Sequence, residues 1–312
     1  MLRFSIIIIH RNNQERLHSL IENIRSIKSS DDEIIVIDNN SPDKSGLSLS
    51  KNKENSDIQF ILNNCNAGYG HSCNQGMRLA KGKFFLLCNN DIKLKKGILE
   101  KFEKFFQINK RAGLIGPQMF SPDGKKMRSY GSRNITFFSQ LDFIGRSLKN
   151  QELHCFSKVA ILRGACLAVN KKMIADIGMY DEDFYFYHEE TEWCHRINKS
   201  KKWSVFFSPE ISISHVGGGS TNSVFTDSRI EFIRSRVQFW FKLFPQYQAV
   251  LIFLWNIPKL FFDFLFYLIM TLFTLGLEKR YKNKLKDRGI VILWLLLGMP
   301  KKWGLPDKCH LR

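Results

Sequence analysis

Apolar runs and helical repeats alternate along the first third of the chain. Phe4–Ile9 is a near-continuous apolar run, the pattern of a strand buried on both faces. Leu17, Leu20, Ile21, Ile24 and Ile27 then recur at helical spacing. Glu33–Ile37 predicts a second strand, which stops at the turn-rich Asp38-Asn39-Asn40-Ser41-Pro42-Asp43. Ile58–Leu62 predicts a third. Asn66-Ala67-Gly68-Tyr69-Gly70 reads as a loop that opens a helix through Met77 and Ala80. Phe84–Cys88 predicts a fourth strand, ending at Asn89-Asn90-Asp91. Strand and helix in series imply a mostly parallel sheet with right-handed crossovers, whose carboxyl edge is where ligands bind in open α/β sheets.

The middle is less regular. Leu114–Met119 and Ala165–Val169 read as strands, Lys171–Ile177 and Glu189–Lys199 as helices, and Val205–Phe207 and Ile211–Ser214 as two short strands. Ser121-Pro122-Asp123-Gly124 is a β-turn with Pro at its second position. Residues from about Ser129 to Lys158 show no clean period and read as a loop. Arg229–Phe244 is helical in pattern. From Gln248 the character changes. Ala249–Trp255 and Leu260–Leu277 are apolar, broken by Pro258-Lys259. The basic run Lys279-Arg280-Tyr281-Lys282-Asn283-Lys284 follows, then apolar Ile290–Met299. Residues 1–245 therefore read as one α/β domain. Residues 246–312 read as a helical membrane-association region, with helices lying in the interface in preference to a full span.

The formal charge of +18 points to polyanionic partners, and its clustering beside the apolar C-terminal segments points to an anionic membrane surface. No homeodomain, zinc-finger or RNP-type pattern is present, so a nucleic-acid partner is not expected. Seven cysteines, an odd number at irregular spacing with no C-x-x-C, read as reduced thiols in a cytosolic setting. The Phe4–Ile9 run is too short for a signal sequence with a cleavage site.

The polar strand ends carry the candidate chemistry. Asp38 closes a buried strand, where a carboxylate can accept from a base or ribose or simply cap an Asx turn. Asn66 and Gly68 lie where glycine lets backbone approach a ligand or makes an ordinary turn. Asn89 and Asp91 share a direction if the strand continues, and a hard cation on a diphosphate needs such oxygen ligands. Glu189 and Glu190 follow the aromatic Tyr185-Phe186-Tyr187. The helix dipole alone favours acids there, but an apolar wall also raises a carboxylate's proton affinity and suits a general base. His215 precedes Gly217-Gly218-Gly219, read as a flexible lid from which the imidazole reaches a metal or phosphate. Arg234 and Arg236 either clamp a leaving diphosphate or are solvated surface residues.

In order, Phe4–Ile9, Ile34-Ile35-Val36-Ile37-Asp38-Asn39-Asn40-Ser41, Asn66–Gly70 and Leu86–Asp91 resemble the family 2 glycosyltransferases of GT-A fold. Arg163-Gly164-Ala165, Gly178–Phe184, Glu189-Glu190 and His215–Gly219 resemble the rhamnosyltransferase-type branch. The resemblance covers roughly residues 4 to 245. It implies a Rossmann-like nucleotide-sugar domain and an inverting transfer from a nucleoside-diphosphate sugar, such as dTDP-rhamnose, to a lipid-linked or glycan acceptor; the Lys, Arg and aromatic residues flanking the C-terminal apolar segments suit the cytoplasmic face of the membrane. Asp38, Asn40, Asn66, Gly68, Asn89, Arg234 and Arg236 would bind the donor. Asp91 and His215 would hold Mg²⁺ or Mn²⁺, and Glu190, with Glu189 as alternative, would be the base. Two departures stand out: Asn89 replaces the first acid of the usual Asp-x-Asp, and Glu-Glu replaces Glu-Asp. A sugar nucleotidyltransferase is a second reading, disfavoured because His10-Arg11-Asn12-Asn13 has no glycine. A non-catalytic membrane partner of a polysaccharide assembly complex is a third.

Overall fold

The computed structural model describes residues 2–131, 135–141, 152–216, 225–305 and 308–309. In chain order the first elements are β1 (Phe4–His10), α1 (Gln14–Arg25), β2 (Asp32–Asp38), α2 (Ser45–Ser50), β3 (Ile58–Leu62), α3 (Tyr69–Leu79), β4 (Phe84–Asn89), β5 (Ile92–Leu94), α4 (Ile98–Ile108) and β6 (Ala112–Phe120). A small ribbon pairs β7 (Tyr130–Gly131) with β9 (Ile161–Leu162), with α5 (Phe137–Gln140) and β8 (Ser157–Lys158) between them in sequence. Then come β10 (Cys166–Asn170), α6 (Lys171–Ile177), α7 (Glu189–Lys199), β11 (Ser204–His215), α8 (Phe225–Leu243), α9 (Gln246–Phe273) and α10 (Lys279–Leu296).

The main sheet runs β3-β2-β1-β4-β10-β6-β11-β5, with β8 also paired to β11. β3, β2, β1 and β4 are parallel, as the alternation of strand and helix requires. The expectation of a mostly parallel sheet holds only for that half. β10 runs antiparallel to both β4 and β6, and β5 and β8 run antiparallel to β11. The reason is connectivity: β6 ends and β10 begins at the same sheet edge, so β10 must run back. The two short strands expected over 205–214 are one strand, β11. Its pairing with β6 slips between Ser208 and Ser212, at Pro209, which has no N–H for the ladder.

Successive β1 side chains bury on opposite faces. Phe4, Ile6 and Ile8 pack with α1 and α4, whereas Ile7 and Ile9 pack with α3 and α7. Each such fully buried aliphatic or aromatic side chain contributes about 1.5–3 kcal/mol. α3 lies so close to β1 that a Cβ on Gly76 would come 2.3 Å from Ile7 Cγ2.

Two C-terminal expectations change. Pro258 does not break the apolar stretch, because α9 is one 28-residue helix that carries it internally. Such a proline removes a single backbone bond and kinks a helix, a loss that packing of α9 against α8 and α10 offsets. The basic run and the apolar segment after it likewise form one helix, α10. α9 is long and apolar enough to cross a membrane by length and composition, yet only 11% of its most apolar window is buried. The thiols also differ from expectation: Cys65 and Cys309 form a disulfide across 244 residues, a pairing that local spacing does not encode.

The close α3–β1 approach makes Gly76→Ala a sensitive probe of the sheet. It is expected to lower unfolding free energy by about 1–3 kcal/mol through overpacking, measured by denaturant titration.

Candidate functional site

Every polar strand end singled out above lies at one edge of the sheet. β1, β2, β3 and β4 finish there, β10 starts there, and β6 and β11 finish there. The antiparallel register of β5 on β11 sets Ile92 opposite His215. Asp91, one residue earlier, meets the imidazole. His215 Nε2 is 3.2 Å from Asp91 Oδ1, and the side chains are 13% and 9% exposed. The Val216 N–H donates to the Asp91 carbonyl at 3.1 Å and fixes the pair from the backbone. Burial pushes the Asp91 carboxyl up, but the His215 imidazole outweighs it and holds the group below its ordinary value. Asp91 Oδ1 and His215 Nδ1 are shielded and, beyond that ion-pair contact, have no hydrogen-bond partner among the described residues.

Such orphaned groups fit a cation. One carboxylate and one imidazole suit a hard divalent ion that takes its remaining oxygens from diphosphate and water. Among the described residues no cluster of three His, Cys, Asp or Glu is able to hold a metal unaided. The glycines after His215 lie outside the described residues.

Glu189 and Glu190 diverge. Tyr187 and His188, both at positive φ, form a strained turn that starts α7. Glu189 turns inward: a Cβ on Gly70 would be 3.6 Å from its Cβ, and the residue is 5% exposed. Burial, reinforced by neighbouring Glu190, raises its proton affinity well above the ordinary value. Glu190 instead lines a cavity of about 270 Å³ together with Arg163, His188 and Arg236. Burial raises its pKa too, opposed by backbone N–H groups and the Arg163 charge. Oε2 of Glu190 has no hydrogen-bond partner among the described residues. The cavity adjoins the strand ends through Gly164. A Cβ on Gly164 would lie 3.9 Å from Glu190, and the next residue, Ala165, accepts from the Asn89 N–H at 2.9 Å.

The remaining expected donor ligands separate into two groups. Asp38 is buried and accepts from the Ser41 N–H at 3.0 Å and from the Ser41 hydroxyl, so it caps its own turn. Asn40 is exposed at positive φ. Asn66 is held by its neighbour in sequence pattern, Asn39, which sequence reading passed over. Asn39 Nδ2 donates to Asn66 Oδ1 at 2.6 Å, and Asn39 Oδ1 accepts from the Ala67 N–H at 3.0 Å. Gly68 (φ +93°) is obligatory, because a Cβ there would sit 2.2 Å from the Tyr185 carbonyl oxygen. Arg234 turns away to the C-terminal turn. It pairs with Glu231 at 2.7 Å and donates to the carbonyls of Pro300 and Trp303 at 3.1 and 2.5 Å. Arg236 lines the Glu190 cavity, which neither Asp91 nor His215 lines.

Also missed in sequence was a buried relay behind the edge. Asn90 Nδ2 donates to His10 Nδ1 at 2.8 Å, so His10 Nε2–H donates to Ser45 Oγ at 2.6 Å, and Ser45 donates to Asp43 at 2.5 Å. Burial lowers the His10 pKa, against the charges of Asp38 and Asp43. The relay locks the ends of β1 and β4 to the loop after β2.

Residues 5–177 match the family described as Glycosyl transferase family 2. The low-salt glycan biosynthesis hexosyltransferase Agl10 of Haloferax volcanii is 24% identical over 201 residues, 62% of this chain and 61% of that protein. A GalNAc(5)-diNAcBac-PP-undecaprenol beta-1,3-glucosyltransferase of Campylobacter jejuni is 26% identical over 209 residues, 66% of this chain and 62% of that protein. The matched region thus spans less than two thirds of each relative's length. Among solved structures, the mannosyltransferase PcManGT from Pyrobaculum calidifontis, in complex with GDP-Man and Mn²⁺, superposes with TM-score 0.57 at 12% identity, covering 96% of this chain and 88% of that one. GalNAc-T7 with UDP, GalNAc and Mn²⁺ gives 0.55 at 14% identity, covering 75% and 47%. The mixed sheet, its ligand-facing edge and the match over more than half of the sequence agree: the chain has the GT-A fold and belongs to glycosyl transferase family 2.

Proposed function

We propose that the chain transfers a hexose from a nucleoside-diphosphate donor to a hydroxyl of a lipid-linked acceptor in glycan biosynthesis. The observation that carries this reading is the pairing, at one sheet edge, of the Asp91–His215 contact with the cavity where Glu190 keeps an unpartnered oxygen. The relatives' names, a glycan-biosynthesis hexosyltransferase and a glucosyltransferase for an undecaprenol-linked glycan, support the substrate classes. Neither name mentions rhamnose, and a dTDP-rhamnose donor rests on motif order alone. Family membership also removes the main support for the nucleotidyltransferase reading.

Glu190 accepts the acceptor hydroxyl proton as the acceptor oxygen bonds to the anomeric carbon. The anomeric carbon–oxygen bond breaks with its electron pair leaving on the diphosphate, so the configuration inverts. Asp91 and His215 would hold Mg²⁺ or Mn²⁺, which supplies positive charge to the departing diphosphate. Mn²⁺ in the PcManGT and GalNAc-T7 structures supports that choice. Gly68 and the Asn39–Asn66 pair shape the donor side, with Asp38 holding their turn in place.

We also propose that the chain attaches to a membrane through α9 and α10. Ile269, Leu272, Phe273, Leu275 and Leu277 are 62–85% exposed and run into Lys279, Arg280, Lys282 and Lys284. An apolar face bordered by basic residues suits an anionic interface, at roughly 1 kcal/mol per basic residue near the surface.

Asp91→Ala is expected to abolish transfer and metal-dependent nucleotide binding while the protein stays folded, checked by activity across an Mn²⁺ titration and by circular dichroism. Equal activity would remove Asp91 from the site and favour a non-catalytic partner if wild type is also inactive on a nucleotide-sugar screen. Glu190→Gln is expected to slow turnover by about two to four orders of magnitude with donor binding retained. Glu189→Gln, at an acid whose proton affinity burial raises well above the ordinary value, is expected to keep both turnover and melting temperature. In wild type, activity falls as pH drops through the Glu190 pKa, which burial raises, so the acidic limb of kcat lies above the ordinary carboxylate range. A limb within or below that range assigns the base elsewhere. Leu272→Glu with Phe273→Glu should cut partitioning onto phosphatidylglycerol vesicles by about tenfold or more in sedimentation assays; unchanged binding would acquit α9.

A further inference from the structure

The Glu190 cavity has a neighbour. A smaller one, about 90 Å³, lies among α8, α9 and α10, lined by Phe253, Ile257, Leu260 and Leu295 together with the charged Lys259 and Asp263. Phe232 and Arg236 line both cavities, so Arg236 stands at the junction between the reacting carboxylate and the exposed apolar helix. Its guanidinium stacks on Trp240 at 4.9 Å and pairs with no carboxylate among the described residues. Arg163, exposed on the same lining, makes no ion pair among the described residues, though its charge acts on Glu190. His188 lines the same cavity with both ring nitrogens shielded and unpartnered, its ring packed on Phe232 and Phe239 at 5.0 and 5.5 Å. A half-buried arginine with no carboxylate paired to it, beside an unpartnered buried imidazole, is costly unless a ligand completes it, and guanidinium groups suit phosphate oxygens above other anions.

Size limits what enters. At about 270 Å³ the Glu190 cavity is at the small end of ligand pockets, enough for a sugar-sized group and not for an oligosaccharide. We propose that Arg163 and Arg236 form an anion subsite for the phosphate of an isoprenoid-diphosphate-linked acceptor, whose lipid follows the α8–α9 groove. The reacting hydroxyl then lies within about one sugar of the diphosphate, so the acceptor is a short lipid-linked saccharide rather than a long glycan. This rests on Glu190 as base, and it moves Arg236 from the donor diphosphate to the acceptor.

Farnesyl diphosphate titrated into the full-length protein by calorimetry tests the assignment. The wild type is expected to bind it, and Arg163→Gln and Arg236→Gln each weaken binding by about ten- to a hundredfold, the scale of one lost charge-assisted pair. Arg163 is exposed, so its variant keeps the test valid if Arg236→Gln fails to fold. UDP, GDP or dTDP with Mn²⁺, added at saturation, should leave farnesyl diphosphate bound. Competition by these nucleotides would return the arginines to the donor and overturn the proposal, as would unchanged affinity in Arg163→Gln. Equal binding of farnesol would reduce the site to a lipid groove, and equally tight, equally arginine-dependent binding of inorganic diphosphate would make it a free-anion site. Failure of the transferase reading is separate: there, wild type binds none of the three nucleotides with Mn²⁺ whatever farnesyl diphosphate does.

Discussion

Asp91 and His215 are 124 residues apart in sequence and touch because β5 runs antiparallel to β11 in one register. A one-residue slip would turn either side chain to the opposite face of the sheet and separate carboxylate from imidazole. That register is itself held by packing. Ile92, Leu94 and Ile213 are buried in the core under α1 and α4, and the Asn23 side chain donates to and accepts from Leu94 at 3.0 and 2.7 Å. The rest of the edge depends on the same frame, since β4 brings Asn89 to Ala165 and Gly164 carries the line on to Glu190.

The two acids of the Glu-Glu pair show how burial divides labour between neighbours. Adjacent residues in a first helical turn point about a hundred degrees apart, so one faces the sheet and the other the cavity. Burial raises the proton affinity of both, well above the ordinary value for Glu189 in the core, and Glu190 keeps an unpartnered oxygen on the cavity lining. The strained Tyr187-His188 turn sets this rotation, since any shift in the first residue of α7 would exchange their roles.

Much of the parallel half was legible in sequence because buried parallel strands and amphipathic helices carry strong periods. α6 and α7 have the bounds that pattern predicts, as does β3. What pattern missed was geometry set by partners far along the chain. The direction of β10 follows from where β6 ends, and the continuity of β11 through Pro209 is enforced by β6, neither of which a local window contains. The same holds within the site. Asp91, His215 and Glu190 stand at polar positions ending strands or opening a helix and could be named. Asn39 and the His10–Ser45 relay act through contacts across loops, and Arg163, legible as part of a motif, gained a place beside Glu190 only once the cavity was formed. Arg234 shows the converse, a helix position that fitted a diphosphate clamp and instead ties α8 to the C-terminal turn. The disulfide from Cys65 to Cys309 and the bridge of Asn66 to Lys308 bring that terminus back beside the loop that opens α3.

The central claim is that one carboxylate and one imidazole, brought together by sheet register, form the cation site of the donor diphosphate. Anomalous diffraction from crystals grown with Mn²⁺ and a nucleoside diphosphate tests it most directly. The account expects a single strong peak within coordination distance of Asp91 and His215, bridged to the diphosphate. A peak elsewhere, or nucleotide bound at this edge with neither side chain near its phosphates, would contradict it.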